Sequence, residues 1–295
     1  MLLNSSNLQG LYQSFKVLFN KAFSGTKPQY EKVATIVPSK AKEETYAWLG
    51  SFPRLREWIG DRVINKLKAF GYTIKNKSFE ASVSVNRDDI EDDTYGVYSP
   101  MIEEMGSSAA THPDEIVFDL LPKGFTTLCY DGQYFFDTDH KDGDGPVQSN
   151  KGTAALSKAA YMAARSQMMS LTDDKGEPLG VITNLLVVPP QLEEKAREIL
   201  LADEIDGTTN TAKGTAELLV VPRLAKNATA WYLIDGSRSI KPLIFQQRKK
   251  AEFVALTDPT DINVFMRKEY LYGVDCRDNA GYGLWQLAYG STGTE

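Results

Sequence analysis

Phe79-Glu-Ala-Ser-Val-Ser-Val-Asn-Arg-Asp-Asp-Ile-Glu-Asp-Asp93 contains a change of period. Up to Val85 the apolar residues take every second position, at Phe79, Ala81, Val83 and Val85. Ser78, Glu80, Ser82 and Ser84 face the other way. Side chains alternate between the two faces of a strand, so this is a strand with one polar face. From Asn86 the pattern changes. Asp88, Asp89, Glu91, Asp92 and Asp93 crowd a helix start, where negative charge complements the positive end of the helix dipole. Helical spacing then continues through Tyr95, Tyr98, Ile102 and Met105 to Ile116, Leu120 and Leu121. The pattern predicts a helix of about 35 residues, well beyond the usual ~10–14. Gly106 and Pro113 are expected to bend or interrupt it, and Pro122-Lys123-Gly124 to end it.

Upstream, Phe70, Tyr72 and Ile74 lead to the turn-like Lys75-Asn76-Lys77. With the alternating stretch after it, this predicts a long strand pair that is polar on one face. A two-stranded ribbon is barely stable alone and needs a partner surface. Residues 26–53 are polar, carry Pro28, Pro38 and Pro53, and read as an extended connector with a short helix near 43–49. Over residues 8–23 the steps of three and four between Leu8, Leu11, Tyr12, Phe15, Leu18, Phe19 and Phe23 draw an apolar stripe along a helix. Two readings stay open for it: a terminal helix docked on its own core, or an arm packed on a neighbouring subunit. Thin segments with this much apolar surface are candidates for contact with a second copy. The side chains concerned are Leu8, Leu11, Tyr12, Phe15, Leu18, Phe19, Phe23, Phe70, Tyr72, Ile74 and Phe79. Gly71, Gly106 and the Pro28/Pro38 connector are candidate flex points.

Downstream, a loop-rich stretch over 137–153 precedes a helix over 156–171. Leu185-Leu-Val-Val, Leu218-Leu-Val-Val and Trp231-Tyr-Leu-Ile are short apolar strands, and a helix over 191–201 separates the first two. Such strands alternating with helices predict a small sheet covered on both faces. Alternation returns at Val264, Met266, Tyr270, Tyr272, Val274 and Cys276, then at Trp285, Leu287 and Tyr289. This predicts a strand, a turn near 278–281 and a second strand. That terminal hairpin is expected to close a sheet begun near 125–130.

The 295 residues are 42% hydrophobic and 24% charged, ordinary values for a folded chain able to bury a sizeable core. The net charge of −6 argues against tight binding of nucleic acid by a monomer. Arg248-Lys249-Lys250 is the one dense basic run and reads as a solvated patch. Cys129 and Cys276 are too few for a disulfide scaffold and read as reduced and buried. No signal peptide is legible at the N-terminus, and no apolar stretch approaches the roughly 20 residues that span a bilayer.

Chemistry is hard to find. Asp137-Thr-Asp-His-Lys-Asp-Gly-Asp-Gly offers carboxylates and an imidazole, yet Lys141 and Asp142 stand where an EF-hand needs a ligand and a glycine. His112 is the only other histidine, so zinc sets and catalytic triads have few candidates. The stretch reads as a polar surface loop. No catalytic residue, cofactor or metal is expected. A metal-dependent hydrolase using Asp137, Asp139 and His140 is the alternative from another class.

The order of elements resembles the Hong Kong 97 fold of tailed-phage and herpesvirus capsid proteins. More closely, the chain resembles the Mu-like prophage major head subunit, gpT. The residues that carry this are Gly10-Leu-Tyr-Gln-Ser-Phe15, Glu44-Thr-Tyr-Ala-Trp-Leu-Gly-Ser-Phe-Pro-Arg-Leu-Arg-Glu-Trp58, residues 79–93, Leu185-Leu-Val-Val-Pro-Pro-Gln-Leu-Glu193 and Tyr270-Leu-Tyr-Gly-Val-Asp-Cys-Arg-Asp-Asn-Ala-Gly-Tyr-Gly-Leu-Trp-Gln286. None is a chemical motif; the likeness is one of texture along nearly the whole chain.

The resemblance implies an α+β fold in four parts. These are an N-terminal arm and connector (1–53), an extended E-loop ribbon (54–86), a P-domain with its spine helix and sheet (87–136 and 259–295), and an α/β A-domain (137–258). It implies a major capsid protein forming hexamers and pentamers of an icosahedral virion shell around double-stranded DNA, assembled in the host cytoplasm and independent of membranes. A scaffolding protein, a maturation protease, a portal and a decoration protein are the implied partners. Some relatives join subunits through a Lys–Asn bond; Asn76 and lysines lie in the ribbon without a specific signature, and non-covalent shells are expected. A ring- or tube-forming phage structural protein is the further alternative.

Overall fold

The computed structural model describes residues 4–47, 49, 71–92, 94–141, 145–173, 176–258 and 260–294. Helix α1 (Ser5–Gly25) is followed by strands β1 (Ala34–Pro38), β2 (Glu43–Thr45), β3 (Thr73–Lys75) and β4 (Lys77–Asn86). Helices α2 (Arg87–Glu91), α3 (Ser99–Phe118) and α4 (Leu120–Lys123) come next. The short strands β5 (His140–Lys141), β6 (Val147–Gln148) and β7 (Lys151–Gly152) precede α5 (Lys158–Met169). Then come β8 (Leu185–Val188), α6 (Glu193–Leu201), the small ladder β9 (Glu204–Ile205) and β10 (Thr208–Thr209), β11 (Glu217–Val220) and β12 (Trp231–Ile234). The chain closes on β13 (Leu243–Leu256), α7 (Ile262–Arg267), β14 (Glu269–Tyr282) and β15 (Ala288–Ser291).

Two sheets organise these elements. A five-stranded sheet has the order β11-β8-β12-β15-β7. Its β8 and β12 are buried at every residue, as unbroken apolar runs covered on both faces should be. A four-stranded sheet has the order β1-β13-β14-β4, with β1 parallel to β13 and the other pairs antiparallel. The larger core surrounds the first sheet, and a second core lies between the long strands and helices α1 and α3.

The expected single long helix is divided. After α2 the chain makes a tight 3-10 turn over Tyr95–Tyr98 and restarts as α3. Pro100, in the first turn of α3, explains the restart: its fixed φ suits a helix start, and its missing N–H costs nothing there. Beyond that point α3 runs on through Gly106 and Pro113. Gly106 serves a close approach. A Cβ there would lie 2.5 Å from the Phe19 carbonyl oxygen and 3.1 Å from the Ala22 Cβ, so α1 crosses α3 against bare backbone. Gly106→Val is expected to destabilise the protein by about 1–3 kcal/mol through overpacking. Thermal unfolding checks this, and an unchanged midpoint would mean that α1 is not seated at Gly106.

The ribbon departs from its expected pairing. Residues 54–70 lie outside the described residues. Past them, β3 and β4 do not pair with each other: β3 pairs with β2, where a helix near 43–49 was expected, and β4 pairs with β14. Asn76 between them is no hairpin turn. Its buried amide nitrogen donates to the Ser39 hydroxyl at 2.8 Å and the Ala41 carbonyl at 2.9 Å, and its oxygen accepts from Gln246 at 2.7 Å.

The C-terminal section differs too. Val264 and Met266 lie on α7, and the even-numbered pattern becomes a strand only from Glu269. β14 passes straight through 278–281 without turning, held by β13 from Leu271 to Tyr282. Gly281 marks a close approach: a Cβ there would fall 2.5 Å from the Ile74 side chain. No strand forms at 125–130, where the described chain holds turns and an isolated bridge from Leu128 to Tyr134. The last strand, β15, instead joins the five-stranded sheet beside β12 and β7. The segments drawn as 137–258 and 259–295 thus trade strands, β13 into the four-stranded sheet and β15 into the five-stranded one.

Candidate functional site

Two features of the surface and one of the interior stand out. The first is the stripe on α1. Leu8, Leu11, Phe15 and Phe19 are buried inside this chain, in the second core. The Phe15 ring meets Tyr272 edge-on at 4.9 Å, and Phe19 lies 5.2 Å from Phe253. Of the two readings left open for the stripe, the chain therefore takes the docked one for these four side chains. Tyr12, Leu18 and Phe23 are half-buried at the margin. Val17, on the outward side, is 64% exposed.

The ribbon candidates divide in the same way. Ile74 is buried in the main core, and the Tyr72 hydroxyl accepts from the Tyr282 N–H at 2.9 Å. Both face inward in this chain. Phe79 is half-buried with its ring 4.3 Å from His112. Phe70 lies outside the described residues.

The second surface feature was missed in the sequence. Helix α7, at the tip where β13 and β14 diverge, holds Phe265 at 83%, Ile262 at 76% and Met266 at 69% exposure. Val254 and Leu256 at the end of β13 are also exposed. Even-numbered alternation hid this helix. Its signal was Asp258-Pro-Thr-Asp261, where the Asp261 carboxylate accepts the Asp258 N–H at 2.9 Å and the Asp261 carbonyl accepts the Phe265 N–H at 3.0 Å. The basic run 248–250 lies on β13, with Arg248 and Lys250 exposed and Lys249 paired to Asp275 at 2.7 Å.

The interior feature involves the loop expected to lie at the surface. Residues 142–144 are outside the described residues. His140 is fully buried, stacked on Trp285 with ring centroids 4.0 Å apart and nearly parallel planes. Its Nδ1 lies 2.6 Å from the Asp131 carboxylate and its Nε2 3.2 Å from the Asn150 side-chain oxygen. Asp137 and Asp139 are not brought to it as partners. The Asp137 carboxylate accepts the Tyr134 and Thr138 N–H groups of its own turn, and Asp139 is exposed.

Around Asp131 the polar groups are closely arranged. Its second oxygen accepts from the Cys129 thiol at 3.0 Å and from the Gln133 N–H at 3.1 Å. Burial pushes the Asp131 carboxyl up, but the hydrogen bond and charge of His140 outweigh it and hold the group below the usual carboxylate range. Burial first, then the neighbouring Asp131 charge, pushes the Cys129 thiol far above its ordinary value. Asn150, fully buried, links three regions. Its amide nitrogen donates to the carbonyls of Phe135, Trp285 and Ala288, and its oxygen accepts the Asp137 N–H.

A family model described as the Mu-like prophage major head subunit gpT matches residues 8–155, 148–224 and 223–294. The chain belongs to the gpT family. It is 37% identical over 98% of its length to the major capsid protein of Escherichia phage Mu, and covers 74% of that protein. It is 38% identical to the Mu-like prophage FluMu major head subunit of Haemophilus influenzae, covering 97% of this chain and 73% of that one. Its fold matches the chain in the procapsid of bacteriophage JBD30 with a TM-score of 0.64, 39% identity and coverage of 98% of this chain and 76% of that one. The protein is thus a gpT-type major capsid subunit of a phage head, with an α+β fold of Hong Kong 97 type. The gpT family is a structural capsid family.

Proposed function

We propose that this gpT-type subunit builds an icosahedral phage head from hexamers and pentamers, closes it around double-stranded DNA, and catalyses no reaction. The observation that carries this is the match of the gpT family along the whole chain, joined to a capsid fold. A scaffolding protein, a maturation protease and a portal act with it during assembly in the host cytoplasm, and a decoration protein can cover the finished shell. With a net charge of −6 and Lys249 already paired to Asp275, containment of DNA rests on shell closure more than on phosphate contacts.

The side chains that join copies are those that the chain does not bury itself. Val17 on α1 and Ile262, Phe265 and Met266 on α7 offer apolar surface outward. Tyr12, Leu18, Phe23 and Phe79 contribute their open edges. The test is negative-stain microscopy of the chain co-expressed with the scaffolding protein of a Mu-like phage. Closed shells are expected; rings or tubes would overturn the reading. The double change Phe265→Asp with Met266→Asp is expected to abolish shells while the thermal midpoint of the subunit stays within a few degrees of the parent. Normal shells from that variant would remove α7 from the contact surface.

A further inference from the structure

Both histidines and both cysteines of this chain gather into two sets, each with one aspartate: Cys129, Asp131 and His140, and His112, Cys276 and Asp278. In the first set the hydrogen bonds decide which ring nitrogen carries a proton. The Asn150 amide nitrogen faces three carbonyl oxygens, at 2.8, 3.2 and 3.1 Å, so its side-chain oxygen must point the other way, at His140 Nε2. A flipped amide would set its oxygen against those three carbonyls and its NH₂ against the Asp137 N–H. Nε2 therefore donates. Nδ1 then turns toward the Asp131 carboxylate, and a bare nitrogen lone pair 2.6 Å from a carboxylate oxygen is untenable. Something positive must sit between them: a proton or a metal ion.

We propose that the Cys129–Asp131–His140 set is a structural zinc-class site, which takes a divalent cation in place of the bridging proton. The ligand atoms already lie within 4.8 Å of one another. A tetrahedral zinc with thiolate, imidazole and carboxylate ligands needs them about 3.3–3.7 Å apart, so the Nδ1–carboxylate spacing opens by about 1 Å on loading. Asp131 gives one oxygen, its other stays on the Gln133 N–H, and a water takes the fourth position. Asn150 supplies the outer hydrogen bond that metal-bound histidines require, fixing the tautomer with Nδ1 free for the ion. Charge balances as well. Loading expels the bridging proton and the Cys129 thiol proton to solvent, and leaves a divalent cation with one thiolate and one carboxylate, neutral in a buried place. The site ties the segment after α4 to Trp285 before β15, so the ion would brace the five-stranded sheet.

The test uses the full chain, reduced, purified without a metal-binding tag and titrated with cobalt(II). One equivalent is expected to bind, with a thiolate-to-cobalt charge-transfer band that zinc displaces. The band is expected to vanish in Cys129→Ser and to persist in Cys276→Ser, and His140→Gln is expected to weaken zinc binding at least about tenfold. A parent chain without the band, or a band that survives Cys129→Ser, overturns the proposal. Should the variants fail to fold, alkylation of the parent read by mass spectrometry decides the matter. Zinc is expected to slow labelling of Cys129 at least tenfold and to leave Cys276 unaffected; equal labelling with and without zinc overturns the site.

Discussion

Deletion of residues 1–24 is expected to unfold the half of the molecule built on the four-stranded sheet, not to release a dispensable arm. An arm that packs only on a neighbour would leave its own domain intact when removed. The docked stripe reverses this. Leu8, Leu11, Phe15 and Phe19 share one core with Ile102, Met105, Phe253 and Tyr272. Truncating a buried leucine to alanine costs about 2–5 kcal/mol and a phenylalanine about 3–5. Four such losses amount to roughly 10–20 kcal/mol, at least comparable with the whole stability of a typical domain at ~5–15. Hydrogen exchange of the deletion variant checks this: protection should collapse across β13, β14 and α3, and survive longer in β8 and β12. Parental protection in β14 would mean that α1 is an arm after all.

The parts legible in the sequence share one property: their signal is local. Leu185-Leu-Val-Val and Trp231-Tyr-Leu-Ile announce buried strands because each is apolar at every position, whatever surrounds it. The stripe of α1 is legible for the same reason, but its partner is not. Periodicity says that one face is apolar and is silent on whether the covering surface belongs to the same chain. Gly106 shows the limit: beside Pro113 it suggested a break, and only the passage of Phe19 over it reveals a contact. Gly281 misled in the same way, read as a turn where Ile74 comes close. Alternation at Val264 and Met266 continued that of β14 by accident, since positions two apart carry no memory of which element they belong to. The His140 set lies within residues 129–140, but it is buried under the Trp285 ring from the far end of the chain, and a surface loop was read where that ring covers it.

Asn150→Leu carries the second large effect, and it separates a hydrogen-bonding role from a space-filling one. Leucine keeps the branched heavy-atom outline of asparagine, so no large cavity opens. The loss is polar. The carbonyls of Phe135, Trp285 and Ala288 lose their donor, and the Asp137 N–H and His140 Nε2 lose their acceptor, all beside a fully buried side chain. A buried polar group left unpaired costs about 1–3 kcal/mol. Even if local shifts re-pair three of the five, the two left unpaired cost about 2–6 kcal/mol, enough to lower the urea midpoint clearly. Asn150→Asp sharpens the test. It keeps an acceptor for His140 but points a charged oxygen at three carbonyls, so it is expected to destabilise as much and not to rescue. If unfolding in urea shows both variants within about 1 kcal/mol of the parent, the carbonyls have found other donors and Asn150 is not the link between the segment after α4 and β15. If Asp alone is tolerated, the acceptor side of Asn150 is what matters, and the three carbonyl contacts contribute little.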